Sequence, residues 1–138
     1  MGDRIRFGAL TRAPAILLAW WLCMWLGQSA QAAVPGCESA APYTPAYEPW
    51  RSPDEPLSDV SVILVHGKGG SRFSAFFEPF RDALVANGYS VTMPNMPWSW
   101  LWDGTQCQGL NYLAELIAAE RAKGMRVILV GHSMGGMH

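Results

Sequence analysis

Apolar positions along the chain fall into blocks of two rhythms. Val60 to Val65 (Val-Ser-Val-Ile-Leu-Val) is short, β-branched and nearly continuous, which predicts a strand buried on both faces of a parallel sheet. Phe76, Phe77, Phe80, Ala83 and Leu84 recur instead at helical spacing, with Pro79 suited to a first turn and Gly88 to a stop. Tyr89 to Met93 predicts a second strand. An irregular segment from Pro94 to Gly109 carries Trp98, Trp100 and Trp102. Leu110, Leu113, Ala114, Ile117 and Ala118 then mark an amphipathic helix, with Arg121 and Lys123 in its last turn and Gly124 just beyond. Arg126 to Val130 predicts a third apolar strand. Strand, helix, strand, helix, strand is the order of an α/β domain with a mainly parallel sheet, here over residues 59–138.

The preceding stretch has neither rhythm. Between Glu38 and Ser58 stand Pro42, Pro45, Pro49, Pro53 and Pro56, with Tyr43, Tyr47 and Trp50 among them. Each proline removes a backbone donor, so this spacing argues against helix and ladder alike. Residues 33–58 are expected to be an extended arm, either a spacer or a strap whose aromatic rings pack on the domain.

Residues 1–32 have a third pattern. Arg4, Arg6 and Arg12 precede the uncharged run Ala15 to Leu26, and Ala30, Gln31 and Ala32 close it with a small-x-small end. That order is a secretory signal cleaved after Ala32, which predicts an exported protein, periplasmic or secreted. The run is shorter than the roughly 20 apolar residues of a spanning helix. An uncleaved membrane anchor and a lipid-attached Cys37 are the alternatives; Pro35 and the distance of Cys37 from the apolar run argue against the second. Cleavage would remove three arginines and one aspartate from 10 basic and 11 acidic groups, leaving 7 against 10 and a net charge of -3. Nothing in that balance attracts nucleic acid. A chain that is 50% hydrophobic and 15% charged also lacks the composition of a disordered one. Cys23 would leave with the signal, so Cys37 and Cys107 remain as a pair in a compartment where disulfides persist, either bridged or as two separate thiols.

Chemistry enters where the third strand runs into Gly131-His132-Ser133-Met134-Gly135-Gly136. In G-x-S-x-G after a buried strand, a sharp turn holds the serine in strained backbone geometry, and small neighbours let adjacent elements come close. The plainer alternative is a Gly-rich turn at a strand end. The first strand ends comparably, in His66-Gly67-Lys68-Gly69-Gly70. For a serine nucleophile, the N–H groups of Met134 and Lys68 would form the oxyanion hole. His66 is expected to shape its loop by bonding nearby backbone, and His132 to pack in the elbow.

These two motifs, with Gly88-Tyr89 between them, resemble the N-terminal half of an α/β-hydrolase of the lipase, esterase and serine-aminopeptidase-like kind. The resemblance covers about residues 59–138. It implies a doubly wound sheet, Ser133 as nucleophile, a small-molecule or lipid acyl substrate, and no cofactor. The chain departs from the family at Pro94-Asn95-Met96-Pro97-Trp98-Ser99, where many members carry a Gly-rich turn with Asp and Arg. The arm also leaves little room for the usual two preceding strands. In the family, Asp or Glu and then His follow the serine; here the only later histidine is His138, too close to Ser133 to serve it. The resemblance therefore implies a partial domain lacking its acid and base, in a truncated product or partial sequence with negligible turnover by itself. Acyl transfer to an alcohol is the nearest chemical alternative, and a non-catalytic binding or scaffold protein that keeps the elbow is another. Oligomeric state is not legible.

Other candidates are weaker. Gly67-Lys68-Gly69-Gly70-Ser71 lacks the Walker spacing, and Arg72 stands where a dinucleotide loop needs its last glycine. The three tryptophans either line an apolar acyl pocket or cover the sheet edge, and Asp103 reads as a solvated loop carboxylate. No His and Cys cluster has metal-ligand spacing.

Overall fold

Successive side chains of a strand point to opposite faces, so the run Val60–Val65 can be buried throughout only if both faces are covered. In a computed structural model, which describes residues 33–53 and 55–137, all six of its residues are buried. The predicted signal, its anchor and lipid alternatives, Cys23 and His138 lie outside the described residues, except that Cys37 itself is described. We label the strands β1 (Trp50–Arg51), β2 (Val60–Val65), β3 (Ser90–Met93) and β4 (Arg126–Gly131), and the helices α1 (Glu78–Ala86) and α2 (Gln106–Ala122). The sheet order is β1-β3-β2-β4. Strand β2 pairs in parallel with β3, Val62 opposite Val91, and with β4, Val65 opposite Gly131. The sheet is open, mixed and four-stranded, and the architecture is α/β.

Ile63 and Val65 face one core with Tyr43, Met96, Trp98, Tyr112, Leu113 and Leu116. Val60, Val62 and Leu64 face the other with Phe77, Val91 and Met93. One helix thus lies on each side. Each fully buried branched side chain of β2 contributes about 1.5–3 kcal/mol. Strand β4 differs: it is the outer strand, and Ile128 and Leu129 are 50% and 40% exposed.

Three sequence expectations are corrected. The arm does form a ladder: Trp50 and Arg51 pair antiparallel with Met93 and Thr92, a two-residue strand fitted between Pro49 and Pro53. Helix α1 begins at Glu78 with Pro79 in its first turn, and it leaves Phe76 and Phe80 exposed while Phe77 is buried. A short 3₁₀ turn, Ala75–Phe77, rotates these rings away from a single helical stripe. Helix α2 starts earlier than the apolar periodicity indicates, because Thr105 and Gln108 form a reciprocal capping box.

The arm is a strap. Tyr43 is buried, Asn111 is hydrogen-bonded to both Val34 N–H and Cys37 carbonyl, and Arg51 donates to Glu120 at 2.9 Å. Glu120 is a buried carboxylate on α2. Burial raises its pKa, but Lys123 and Arg51 outweigh that and hold it below the ordinary value. Cys37 and Cys107 are bonded, their Cα atoms 5.1 Å apart across a sequence separation of 70 residues. A loop of that length is expected to contribute about 3–4 kcal/mol by restricting the unfolded chain. Reduction should therefore lower the circular-dichroism melting temperature by roughly 10–20 °C. An unchanged melt in reductant would show that the strap holds without its bond.

Candidate functional site

The parallel register sets Val65 beside Gly131, so the carboxyl ends of β2 and β4 open side by side. Ligands in open α/β sheets collect at such edges. The loop after β2 and the turn after β4 are in close contact: a Cβ on Gly67 would lie 2.9 Å from the Ser133 Cβ. The turn is equally tight. A Cβ on Gly131 would lie 2.1 Å from the Gly135 carbonyl oxygen, and one on Gly135 would lie 2.4 Å from that of Val65. Ser133, between them, has φ of +54°, in the left-handed region that L-residues rarely occupy. It is exposed, and opens a four-residue 3₁₀ turn, Ser133–Gly136.

Ser133 lines a cavity of about 440 Å³ together with His66, Gly67, Lys68, Ser71 and Phe76. The Gly67–Gly70 loop is pinned to the tryptophan segment, since Gly69 N–H donates to Trp98 carbonyl and Trp100 N–H to Gly70 carbonyl. Among the described residues, neither Lys68 N–H nor Met134 N–H has a hydrogen-bond acceptor. The Lys68 ammonium lies 4.9 Å over the Trp102 ring, and the Met134 side chain turns inward against the core.

The two described histidines differ. His66 is 1% exposed; its Nε2 accepts from Met96 N–H at 3.0 Å, which puts the proton on Nδ1, 2.8 Å from the Gly67 carbonyl that receives it. Both nitrogens are thus committed to backbone. Burial pushes its pKa down, against a smaller opposing effect of the Gly67 bond. His132 is exposed, with its ring stacked on Phe76 at 4.1 Å between centroids.

The depressed His66 value has a consequence for stability. The folded protein keeps this ring neutral below pH 6.5, whereas the unfolded chain protonates there, so the unfolded state binds more protons and stability falls as pH drops from about 6.5 to the lowered folded value. Urea midpoints at pH 7 and pH 5 should differ more in the parent protein than in His66→Asn. Identical differences would mean that His66 carries none of the effect.

The tryptophans divide by role. Trp98 is buried and its indole N–H donates to His66 carbonyl at 2.9 Å; Trp100 and Trp102 are 60% and 53% exposed. Asp103 is not merely solvated, for it accepts from the Tyr43 hydroxyl at 2.9 Å. Burial, with Asp103 beside it, holds that hydroxyl protonated well above the ordinary range. Sequence reasoning overlooked Ser71, Ser74 and Phe76 in the cavity wall. Ser71 and Ser74 close a local hydrogen-bonded turn, and the Ser-x-x-Ser spacing was the available signal. It also overlooked Asn95, at 1% exposure.

Among the described residues, no group of His, Cys, Asp and Glu is placed to hold a metal ion, and no helix is long and apolar enough to cross a membrane. Compared with known proteins, the chain matches no family model, no curated protein and no solved structure.

Proposed function

We propose that Ser133 is the nucleophile of an exported serine hydrolase of the esterase or lipase type, built on an α/β-hydrolase domain. The observation that carries this reading is the positive φ of Ser133 between glycines that admit no Cβ, directly against Gly67 at the neighbouring strand end. A strained, exposed serine is what a nucleophile elbow requires and what a plain turn avoids. The Ser133 Oγ adds to an acyl carbonyl, its proton passes to a base, and the carbonyl electrons move onto an oxyanion. The N–H groups of Lys68 and Met134, which have no acceptor among the described residues, donate to that oxyanion. Collapse then expels the leaving group, which takes the proton, and water releases the acyl chain. In this reading the histidine and acid come from outside the described residues. The Cys37–Cys107 bond supports export, since such bonds persist in oxidising compartments.

The committed state of His66 also supports a second reading, a non-catalytic binding protein that uses the elbow as architecture. Treatment of the protein, expressed from its native reading frame, with a fluorophosphonate probe separates the two. Peptide mapping should place the adduct on Ser133. A folded protein that stays unlabelled would favour the binding reading.

A further inference from the structure

Among the described residues, Trp102 shares with Ser133 the left-handed backbone that non-glycine residues avoid, its φ being +51°. Such geometry is costly for a bulky residue and persists where the surrounding structure imposes it. The Trp102 ring is 53% exposed, so core packing does not account for it. What the ring meets is the Lys68 ammonium, 4.9 Å from its centre. That cation has no carboxylate within ion-pair distance among the described residues, and Asp103, next to Trp102 in the chain, is turned to the Tyr43 hydroxyl. A ring face neither neutralises an ammonium nor occupies its three N–H donors. Among the described residues that line the cavity at Ser133, Lys68 alone is charged. The smaller cavity that adjoins it across Ser71 carries Arg72, also without a carboxylate partner among the described residues. No described Asp or Glu lines either cavity, although residues 33–138 hold 7 basic and 10 acidic groups, so the positive character is local to the site.

We infer that the site takes an ester that carries a second, anionic group, and that Lys68 selects for that charge. The inference rests on the nucleophile reading of Ser133, in which the Lys68 backbone N–H faces the reacting carbonyl. Oxyanion donor and ammonium then belong to one residue, separated by its stem of about four carbons. A ligand that meets both needs a similar distance between its reacting carbonyl and its anion, which is that of a half-ester of a dicarboxylic acid of about six carbons. Trp102 is a positioning residue: its ring fixes the far end of a flexible stem that would otherwise sample many rotamers.

Calorimetric titration of the full chain carrying Ser133→Ala, with monomethyl adipate and with dimethyl adipate, tests the inference without turnover. The half-ester is expected to bind about three- to tenfold tighter at low salt, and the preference should shrink towards equality in about 1 M sodium chloride, because Lys68 is exposed. Lys68→Met should remove the preference and Lys68→Arg should keep it. Trp102→Gly should weaken it without lowering the melting temperature, since glycine relieves the strained φ. Equal affinities at low salt, a preference that survives in Lys68→Met, or no saturation by the half-ester up to about 10 mM would overturn the assignment. Fluorophosphonate labelling of the parent protein reports the other reading separately. A labelled Ser133 without charge preference removes this inference alone, and a charge preference in an unlabelled protein removes the hydrolase reading alone.

Discussion

Replacing Ser133 with glycine is expected to abolish acyl hydrolysis and at the same time to stabilise the protein. On the proposed role of Ser133, and in the protein expressed from its native reading frame, loss of the nucleophile should lower turnover of a short aryl ester by roughly 10⁴–10⁶-fold, because the remaining oxyanion donors act on a substrate that nothing attacks. Stability should move the other way. Ser133 holds φ of +54°, and an L-residue in that region costs about 1–2 kcal/mol that glycine does not incur. The extra freedom of glycine in the unfolded chain returns part of this, leaving a net gain of about 0.5–1 kcal/mol and a rise of a few degrees in melting temperature. Ser133→Ala should lose activity equally without the gain, since alanine keeps the Cβ. A serine retained for turn architecture alone would show no dependence of turnover on either change. Strain carried by the Cβ and activity carried by the Oγ are thus separated by the two variants, and it is their combination at one residue that a strained nucleophile requires.

The same comparison of backbone and side chain accounts for what could be read from the sequence. Strands β2 and β4 were legible because continuous β-branched runs between turn residues are local signals, and the tight turn after β4 because its glycines are demanded by contacts within five residues or with the adjacent strand end. The start of α2 was written in Thr105 and Gln108, but Gly109 reads locally as a breaker. Its reason is distant: a Cβ there would lie 2.7 Å from the Trp98 ring, so the helix passes over the indole only with glycine. Glu120 likewise falls on the buried face, which no apolar pattern indicates, because Arg51, from 69 residues away, and Lys123 neutralise it. The ladder at Trp50–Arg51 was hidden by its prolines. Two residues suffice between Pro49 and Pro53 because β1 is itself an edge strand, paired on one side only with β3, where flanking prolines are tolerated. Long-range partners, absent from any local window, decide each of these cases.

Gly135→Ala should have a large effect on the fold, because it meets the central strand rather than its own turn. Gly135 is buried, and the added methyl would lie 2.4 Å from the Val65 carbonyl oxygen and 2.8 Å from that of His66, both backbone atoms of the central strand and its end. Neither can yield as a flexible side chain would, because Val65 carbonyl also accepts the His132 N–H at 3.0 Å, the bond that joins the two loops. The turn must therefore lift off β2, breaking that bond and separating Ser133 from Gly67. Overpacking against rigid backbone costs about 3 kcal/mol or more, which corresponds to a fall of roughly 12–20 °C in melting temperature. Gly69→Ala is the control: its φ of +70° carries the penalty of about 1 kcal/mol for a left-handed alanine, but nothing lies within 4 Å of the new methyl. Circular-dichroism melts of the two variants should differ by about 10 °C. Equal melts would mean that the approach of this turn to β2 is loose, and the proposed nucleophile role of Ser133 would then lose the rigid placement it requires.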